Sequence, residues 1–267
     1  MSSIEDREKP AYSAPALTKG LEVLELLAEA GVPLTMKEIA DGLGRSKNEI
    51  FRMLVALQER GYIERDPETD AFYLTDRLFK LGLHTPRQQD LLTAAMPELA
   101  AIALECQQSP HLVVVNHGLT VVIAAVPGGD DMSFTLRLGY GRLATDSTSG
   151  QVVLAFQPPA VARKVIEESQ GRSAVPIDRA ALEANLAAIR ARGHELRSSR
   201  DFVGITDICC PIFGADGFAA ASIIIAYVNR HAHDNQARHE TTLGVLQASC
   251  SRISAKLSPR LRVQHPV

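Results

Sequence analysis

The chain has 267 residues, 46% of them apolar and 22% charged, with a net charge of −3. That length holds one large domain or two ordinary ones, and the near-neutral balance points globally to neither a nucleic-acid nor a membrane partner. The polar start MSSIEDREKP does not read as a secretory leader, no apolar run is long enough to span a bilayer, and Cys106, Cys209, Cys210 and Cys250 lack CxxC spacing. A reducing, cytoplasmic location is therefore expected.

Residues 1–13 read as a loose tail. Leu21, Leu24, Leu26, Leu27 and Ala28 recur at helical spacing, which predicts a helix from about Thr18 that Gly31 and Pro33 stop. Two capping-box stretches follow, Thr35 with Glu38 and Ser46 with Glu49. The first opens a short helix burying Ile39, Ala40 and Leu43 and ending at Gly42–Gly44. The second turns Ile50, Leu54 and Leu57 to one side and ends at Gly61. YIERDPETDAFYL reads as two short strands around a Pro-Glu-Thr-Asp turn. Three helices and a two-stranded wing make residues 14–74 a winged helix-turn-helix. TDRLFKLGL predicts a linker helix within 75–87, and Thr85–Pro86 breaks the chain after it.

From residue 88 the texture changes. A long helical stretch runs to about Gln108, then HLVVV, Asn-His-Gly and TVVIAAV give strand, turn and strand, with SFTLRL as a third strand. Helical patterns cover Ser149 to Ala155, Ala160 to Ser169 and Arg179 to Ala191. DICCPIF and FAAASIIIAYV are two further strands flanking the Ala-Asp-Gly turn at 215–217, and a last helix runs from Asp234 to Leu257. This mixture predicts an α+β domain over 88–258 built on an antiparallel sheet, followed by a tail at 259–267.

If the helix opened by Ser46 enters a major groove, Arg45, Ser46, Lys47, Asn48 and Arg52 meet DNA. Arg45, in the turn, suits a phosphate. Lys47, Asn48 and Arg52 project opposite the apolar face, where Asn can read adenine and Arg or Lys guanine. Arg65 on the wing adds a backbone contact. The alternative is a protein-interaction module, since residues 14–83 carry twelve acidic side chains against nine basic ones. Residues 45–52 concentrate three bases against one acid, which favours DNA. So few basic contacts imply a dimer reading two half-sites.

Residues 14–83 resemble the DNA-binding domain of IclR-family bacterial transcription regulators, through ALTKGLEVLELLAE, LTMKEIADGLGRSKNEIFRMLVALQERGYIER and FYLTDRLFKLG. Residues 88–258 are similar to that family's effector domain in VVVNHGLTVVIAAV, LGYGRLATDSTSGQVVLAF and DFVGITDICCPIFGADGFAAASIII. The resemblance implies a winged helix-turn-helix joined by a linker helix to a GAF-like α/β effector-binding domain. It also implies a double-stranded DNA operator, a small organic effector and a homodimer or homotetramer. With no phosphate loop, GxGxxG or HExxH in the sequence, no catalytic residues, metal, cofactor or membrane partner are expected; the alternative is an enzyme acting on a small molecule through its C-terminal domain, with the winged domain as a docking module.

The resemblance places the effector near Thr148, Ser149 and Gly150, on the sheet. A helix start there offers unpaired N–H groups to a carboxylate. Where the family commonly has Lys after that Gly, this chain has Gln151, one positive charge fewer. Asp207 replaces a small residue beside the sheet. It is expected either to accept a hydroxyl or amine of the effector or to pair with Arg137, Arg142 or Arg200. Ile223 and Ile225 take the place of hydroxyls found in the family's small-acid sensors, which implies a more apolar cavity and a larger effector, such as an aromatic acid. Cys209 and Cys210 fall on opposite faces of a strand, so one at most meets the cavity; Cys209 is counted with the site. His231, His233 and His239 read as the exposed entrance to the last helix rather than as a metal site. His111 and His117 have no Ser or Asp spaced around them as a nucleophile system.

Overall fold

The computed structural model describes residues 14–83, 86–129, 134–229 and 234–258. The chain divides into two compact units, Met1–Gln88 and Gln89–Val267.

In the first unit, α1 (Pro15–Ala30), α2 (Met36–Gly42) and α3 (Lys47–Glu59) pack around Val23, Leu27, Ile39, Ile50 and Leu54. Ile63 and Phe72 close that core from β2 (Ile63–Arg65) and β3 (Ala71–Leu74), the expected hairpin. A two-residue strand, β1 (Leu34–Thr35), pairs with the far side of β3, giving a third strand that two residues are too few to announce. Thr35 caps α2 reciprocally: its N–H donates to the Glu38 carboxylate at 2.7 Å, and the Glu38 N–H donates to Thr35 Oγ1 at 3.4 Å. Gly44 (φ 60°) and Gly61 (φ 69°) take the left-handed turns after α2 and α3, where a side chain is strained. α4 (Arg77–Leu83) follows Thr75, whose hydroxyl donates to the Gly61 carbonyl at 2.6 Å.

The second unit is built on a six-stranded antiparallel sheet. In chain order its elements are α5 (Pro86–Cys106), β4 (Pro110–Asn116), β5 (Leu119–Ala125), β6 (Gly141–Leu143), α6 (Thr148–Ala155), α7 (Pro159–Arg172) and α8 (Arg179–Arg192). Then come β7 (Glu195–Ser198), β8 (Ile205–Phe213), β9 (Ala219–Val228) and α9 (Asn235–Leu257). The sheet order is β6-β5-β4-β9-β8-β7. Side chains alternate across it. Ile208, Cys210, Ile212, Ala221, Ile223 and Ile225 pack with Leu99 and Ile102 of α5 and Leu246 and Ile253 of α9. Val113, Val122, Cys209 and Ile224 face the other way, toward Val152 and Leu154 of α6 and Leu186 and Ile189 of α8.

Two strand expectations change. Residues 134–137 of SFTLRL are not a strand: the Leu136 N–H donates to the His111 ring at 2.8 Å instead of to a neighbouring strand. The chain rejoins the sheet at the turn, where the Gly139 N–H donates to the Val122 carbonyl at 2.8 Å, and runs on as β6. Glu195–Ser198 pairs with β8 as an edge strand although ELRS has no β-branched residue; the partner strand supplies what propensity lacks.

Candidate nucleic-acid interface and effector cavity

α3 buries Ile50 and Leu54 and leaves Lys47, Asn48, Phe51 and Arg52 exposed. Lys47 and Arg52 have no ion pair among the described residues. Ser46 opens the helix, and its N–H (3.2 Å) and hydroxyl (2.9 Å) both donate to the Glu49 carboxylate. Lys19 donates to the same carboxylate at 2.6 Å, and these contacts, Lys19 first, hold the Glu49 carboxyl down to about 2. Arg45 is placed differently from its expected contact with phosphate. Its Nε (3.0 Å) and Nη2 (2.7 Å) both donate to Glu22 on α1, so a guanidinium lying against an acidic helix takes the carboxylate at hand. Arg65 stays exposed on the wing, paired with Asp70 at 2.9 Å, its guanidinium 5.7 Å from the centre of the Phe72 ring.

Within the second unit a cavity of about 680 Å³, its solvent mouth included, opens on the α6 face of the sheet. Val113, Val122 and Ile224 give an apolar floor, and Thr148, Ser149, Arg197 and Asp207 stand in its wall. Phe134 and Phe202 meet edge to face nearby, ring centres 5.1 Å apart. The Ser147 hydroxyl accepts from the Gly150 N–H at 3.1 Å and so caps α6. The N–H groups of Thr148 and Ser149 have no acceptor within the helix, as in any first turn.

The wall is a polar chain. Arg197 Nη2 (2.7 Å) and Nε (3.1 Å) donate to Thr148 Oγ1, which donates to Asp207 Oδ2 at 2.6 Å. Arg197 Nη1 also donates to Gln151 Oε1 at 3.2 Å, and Gln151 is fixed by Asn185 (2.7 Å) and by the Thr145 carbonyl (2.6 Å). Arg197 makes no carboxylate ion pair among the described residues. Burial first, then the neighbouring Arg200, lowers its pKa from the usual guanidinium value. Arg142 pairs with Asp201 and, at 2.9 Å, with Asp146, which Arg200 also approaches at 3.6 Å. His111 is buried with both ring nitrogens engaged, Nε2 accepting from Leu136 and Nδ1 3.4 Å from the Ile224 carbonyl; burial pushes its pKa down to about 4.

Of the residues expected at this site, Thr148, Ser149 and Asp207 line the cavity. Gly150 does not; it lets α6 approach Ala144, whose carbonyl oxygen would lie 2.3 Å from an added Cβ. Cys209 shares that side of the sheet but is sealed in the core, and burial pushes its thiol well up. Ile223 and Ile225 are corrected outright: strand alternation turns both to the α5–α9 layer, and Ile224 meets the cavity. None of Arg137, Arg142 and Arg200 pairs with Asp207; Thr148 does.

Two family models match the chain: the IclR helix-turn-helix domain over residues 16–67 and the bacterial transcriptional regulator IclR C-terminal domain over residues 84–255. The chain belongs to the IclR family. It is a DNA-binding transcriptional regulator with an effector-binding C-terminal domain. Among IclR-family relatives, the uncharacterized HTH-type transcriptional regulator RhmR of Escherichia coli K12 is 28% identical over 214 residues, 79% of this chain and 82% of that protein. The regulator BhcR of Paracoccus denitrificans is 28% identical over 79% of this chain and 76% of its own length. The fold matches the IclR structure from Thermotoga maritima (TM-score 0.69, 23% identity, 91% and 98% of the two chains). It also matches an IclR homologue from Microbacterium hydrocarbonoxydans complexed with 4-hydroxybenzoate (TM-score 0.75, 20% identity, 91% and 98%).

For an IclR-family chain, Arg197 and His111 are the polar cavity residues of most consequence that the sequence did not reveal, beside the apolar lining of Val113, Val122, Phe134, Phe202 and Ile224. Arg197 lies on the unrecognised edge strand β7, directly across from Asp207 in register. Its signal was available only as an Arg a few residues before DFVGITD. His239 is held by Asn229 at 2.8 Å and meets the Tyr227 ring edge to face. His231 and His233 lie outside the described residues, as do the tails at 1–13 and 259–267. Among the described residues no helix is long and apolar enough to cross a membrane.

Proposed function

We propose that the cavity of the second unit binds a small aromatic or similarly apolar carboxylic acid, and that Arg197 holds its carboxylate. The observation that carries this reading is a half-buried guanidinium with no carboxylate partner among the described residues, beside the open start of α6. Gln151 leaves position 151 without a charge, and Arg197 supplies one from β7 while Gln151 orients it. Asp207, whose Oδ2 already takes the Thr148 hydroxyl, keeps Oδ1 for a hydroxyl or ammonium on the effector. The apolar floor and the Phe134–Phe202 pair suit a ring. The similar Microbacterium structure holds 4-hydroxybenzoate, a molecule with both an acid group and a ring hydroxyl.

At the other end of the chain, Lys47, Asn48 and Arg52 contact base edges, Arg65 serves as a backbone contact, and Arg45 fixes the turn through Glu22. The regulator acts in the cytoplasm as a homodimer or homotetramer. Effector binding shifts the placement of its DNA-binding heads through α4, and so operator affinity. The effector is released unchanged.

Titration calorimetry of the full chain against benzoate, 4-hydroxybenzoate and glyoxylate tests the effector class. An aromatic acid is expected to bind, and Arg197→Met to weaken it about 10- to 100-fold, the loss of a charge-assisted contact. Tight binding of glyoxylate alone refutes the reading.

A further inference from the structure

The face that α3 turns outward is not purely polar. Phe51 is 56% exposed and Val55 37% exposed, four residues apart and so one above the other on the helix surface. Ile50 and Leu54 already fill the core beneath, so neither side chain is left out for lack of an apolar neighbour to join. Lys47 lies one turn before Phe51, and Asn48 and Arg52 stand beside the pair, all exposed. An aromatic ring and a valine set among unpaired cations form a poor surface for an apolar protein partner. They suit a polyanion whose recognition edge carries apolar groups.

In the major groove that apolar group is the C5-methyl of thymine. We infer that Phe51, with Val55 beside it, is a base-reading residue that packs on thymine methyl groups of the operator. Family membership gives the domain a duplex to bind; it gives no base preference and assigns nothing to these two side chains. The charge pattern raises their weight. Arg45 and Lys19 are each tied to a carboxylate, so less of the binding free energy comes from phosphates and more of the discrimination falls to base contacts.

The test starts from a random-sequence duplex pool. The full-length wild-type chain selects from it at fixed salt, and the recovered duplex is the probe. Each thymine is then replaced singly by deoxyuridine, which removes the methyl and keeps every hydrogen-bonding group. At one or two thymines per half-site, uracil is expected to weaken wild-type binding about four-fold, the worth of one buried methyl. Phe51→Ala should weaken the thymine probe at least as much and show no further loss on uracil. Val55→Ala should show the same coupling with a smaller loss. The inference is overturned if uracil costs wild-type binding nothing at any position, or if Phe51→Ala stays as sensitive to uracil as the wild type. The uracil scan on the wild-type chain needs no variant, so a folding defect cannot blur the first of these. A Phe51→Ala chain that binds DNA normally but sediments as a smaller species would instead give the residue to a contact between copies, and overturn it too. Recovery of no duplex above background would remove the base-reading role of α3 as a whole.

Discussion

α3 and α6 both start at a serine, Ser46 and Ser147, yet the two helix starts are put to opposite use. Three residues after its cap α3 has Glu49, whose carboxylate turns back on the Ser46 N–H and hydroxyl. The positive end of that helix is therefore neutralised from within, and what α3 offers a partner is its outward side chains. Three residues after its cap α6 has Gly150, which contributes an N–H to Ser147 and nothing else. That start stays bare, faces a cavity and stands beside a cation, Arg197. One residue type at the third helical position thus decides whether a helix start serves its own stability or remains available to an anion.

The strongest way to break the comparison is to give Gly150 a side chain. A Cβ there would sit 2.3 Å from the Ala144 carbonyl oxygen and 2.6 Å from its Cα, both backbone atoms that cannot swing aside. Gly150→Ala is expected to cost about 3 kcal/mol of stability in chemical denaturation and to abolish aromatic-acid binding. A variant of wild-type stability would mean that α6 can move off Ala144 freely.

Acid should separate the two regions next. The His111 ring titrates near the usual 6.5 when unfolded and near 4 when folded, because burial disfavours its charged form. Between those values the unfolded chain binds the extra proton. Stability of the sheet unit therefore falls as pH drops through 6.5 and has lost its full share below 4, about 3 kcal/mol. Glu49 responds in the same direction but in a lower window: its folded carboxyl titrates near 2, so its support of α3 is full above its usual 4.5, starts to fall below it, and is gone only once pH has fallen through 2. Hydrogen exchange at pH 7 and pH 4.5, corrected for intrinsic rates, should show protection lost in β4 and β9 and retained in α3. Loss of protection in α3 first would contradict this.

The same contrast explains what could be read from the sequence. α2 and α3 were legible because each carries its own punctuation: Thr35 with Glu38, Ser46 with Glu49, and the glycines that follow. α6 was legible as a helix start, and the wall it supplies came with it. The cavity's chemistry was not, because it depends on residues brought in from far along the chain. Arg197 sits on an edge strand of four residues that β8 holds in place, and His111 takes its partner from residue 136, where a strand pattern misleads. Ile223 and Ile225 failed for a simpler reason. In a strand a shift of one residue exchanges the two faces, and here Ile224 is the one that looks into the cavity.

The smallest expected effects sharpen the comparison most cleanly, because they act on the two caps alone. Ser147 is buried, and its hydroxyl accepts from the Gly150 N–H, a buried donor that loses this partner once the side chain is shortened. Ser147→Ala should therefore cost about 2 kcal/mol, the penalty of an unpaired buried donor. Ser46 is exposed, and Glu49 keeps both the Ser46 N–H and Lys19 when the hydroxyl goes. Ser46→Ala should cost about 1 kcal/mol or less. The Glu49 carboxyl should rise from about 2 but stay below 4.5, since Lys19 is the larger cause of its depression. An NMR titration of Glu49 in the variant checks that ordering. A return to 4.5 would make the serine, not the lysine, the group that anchors the start of α3.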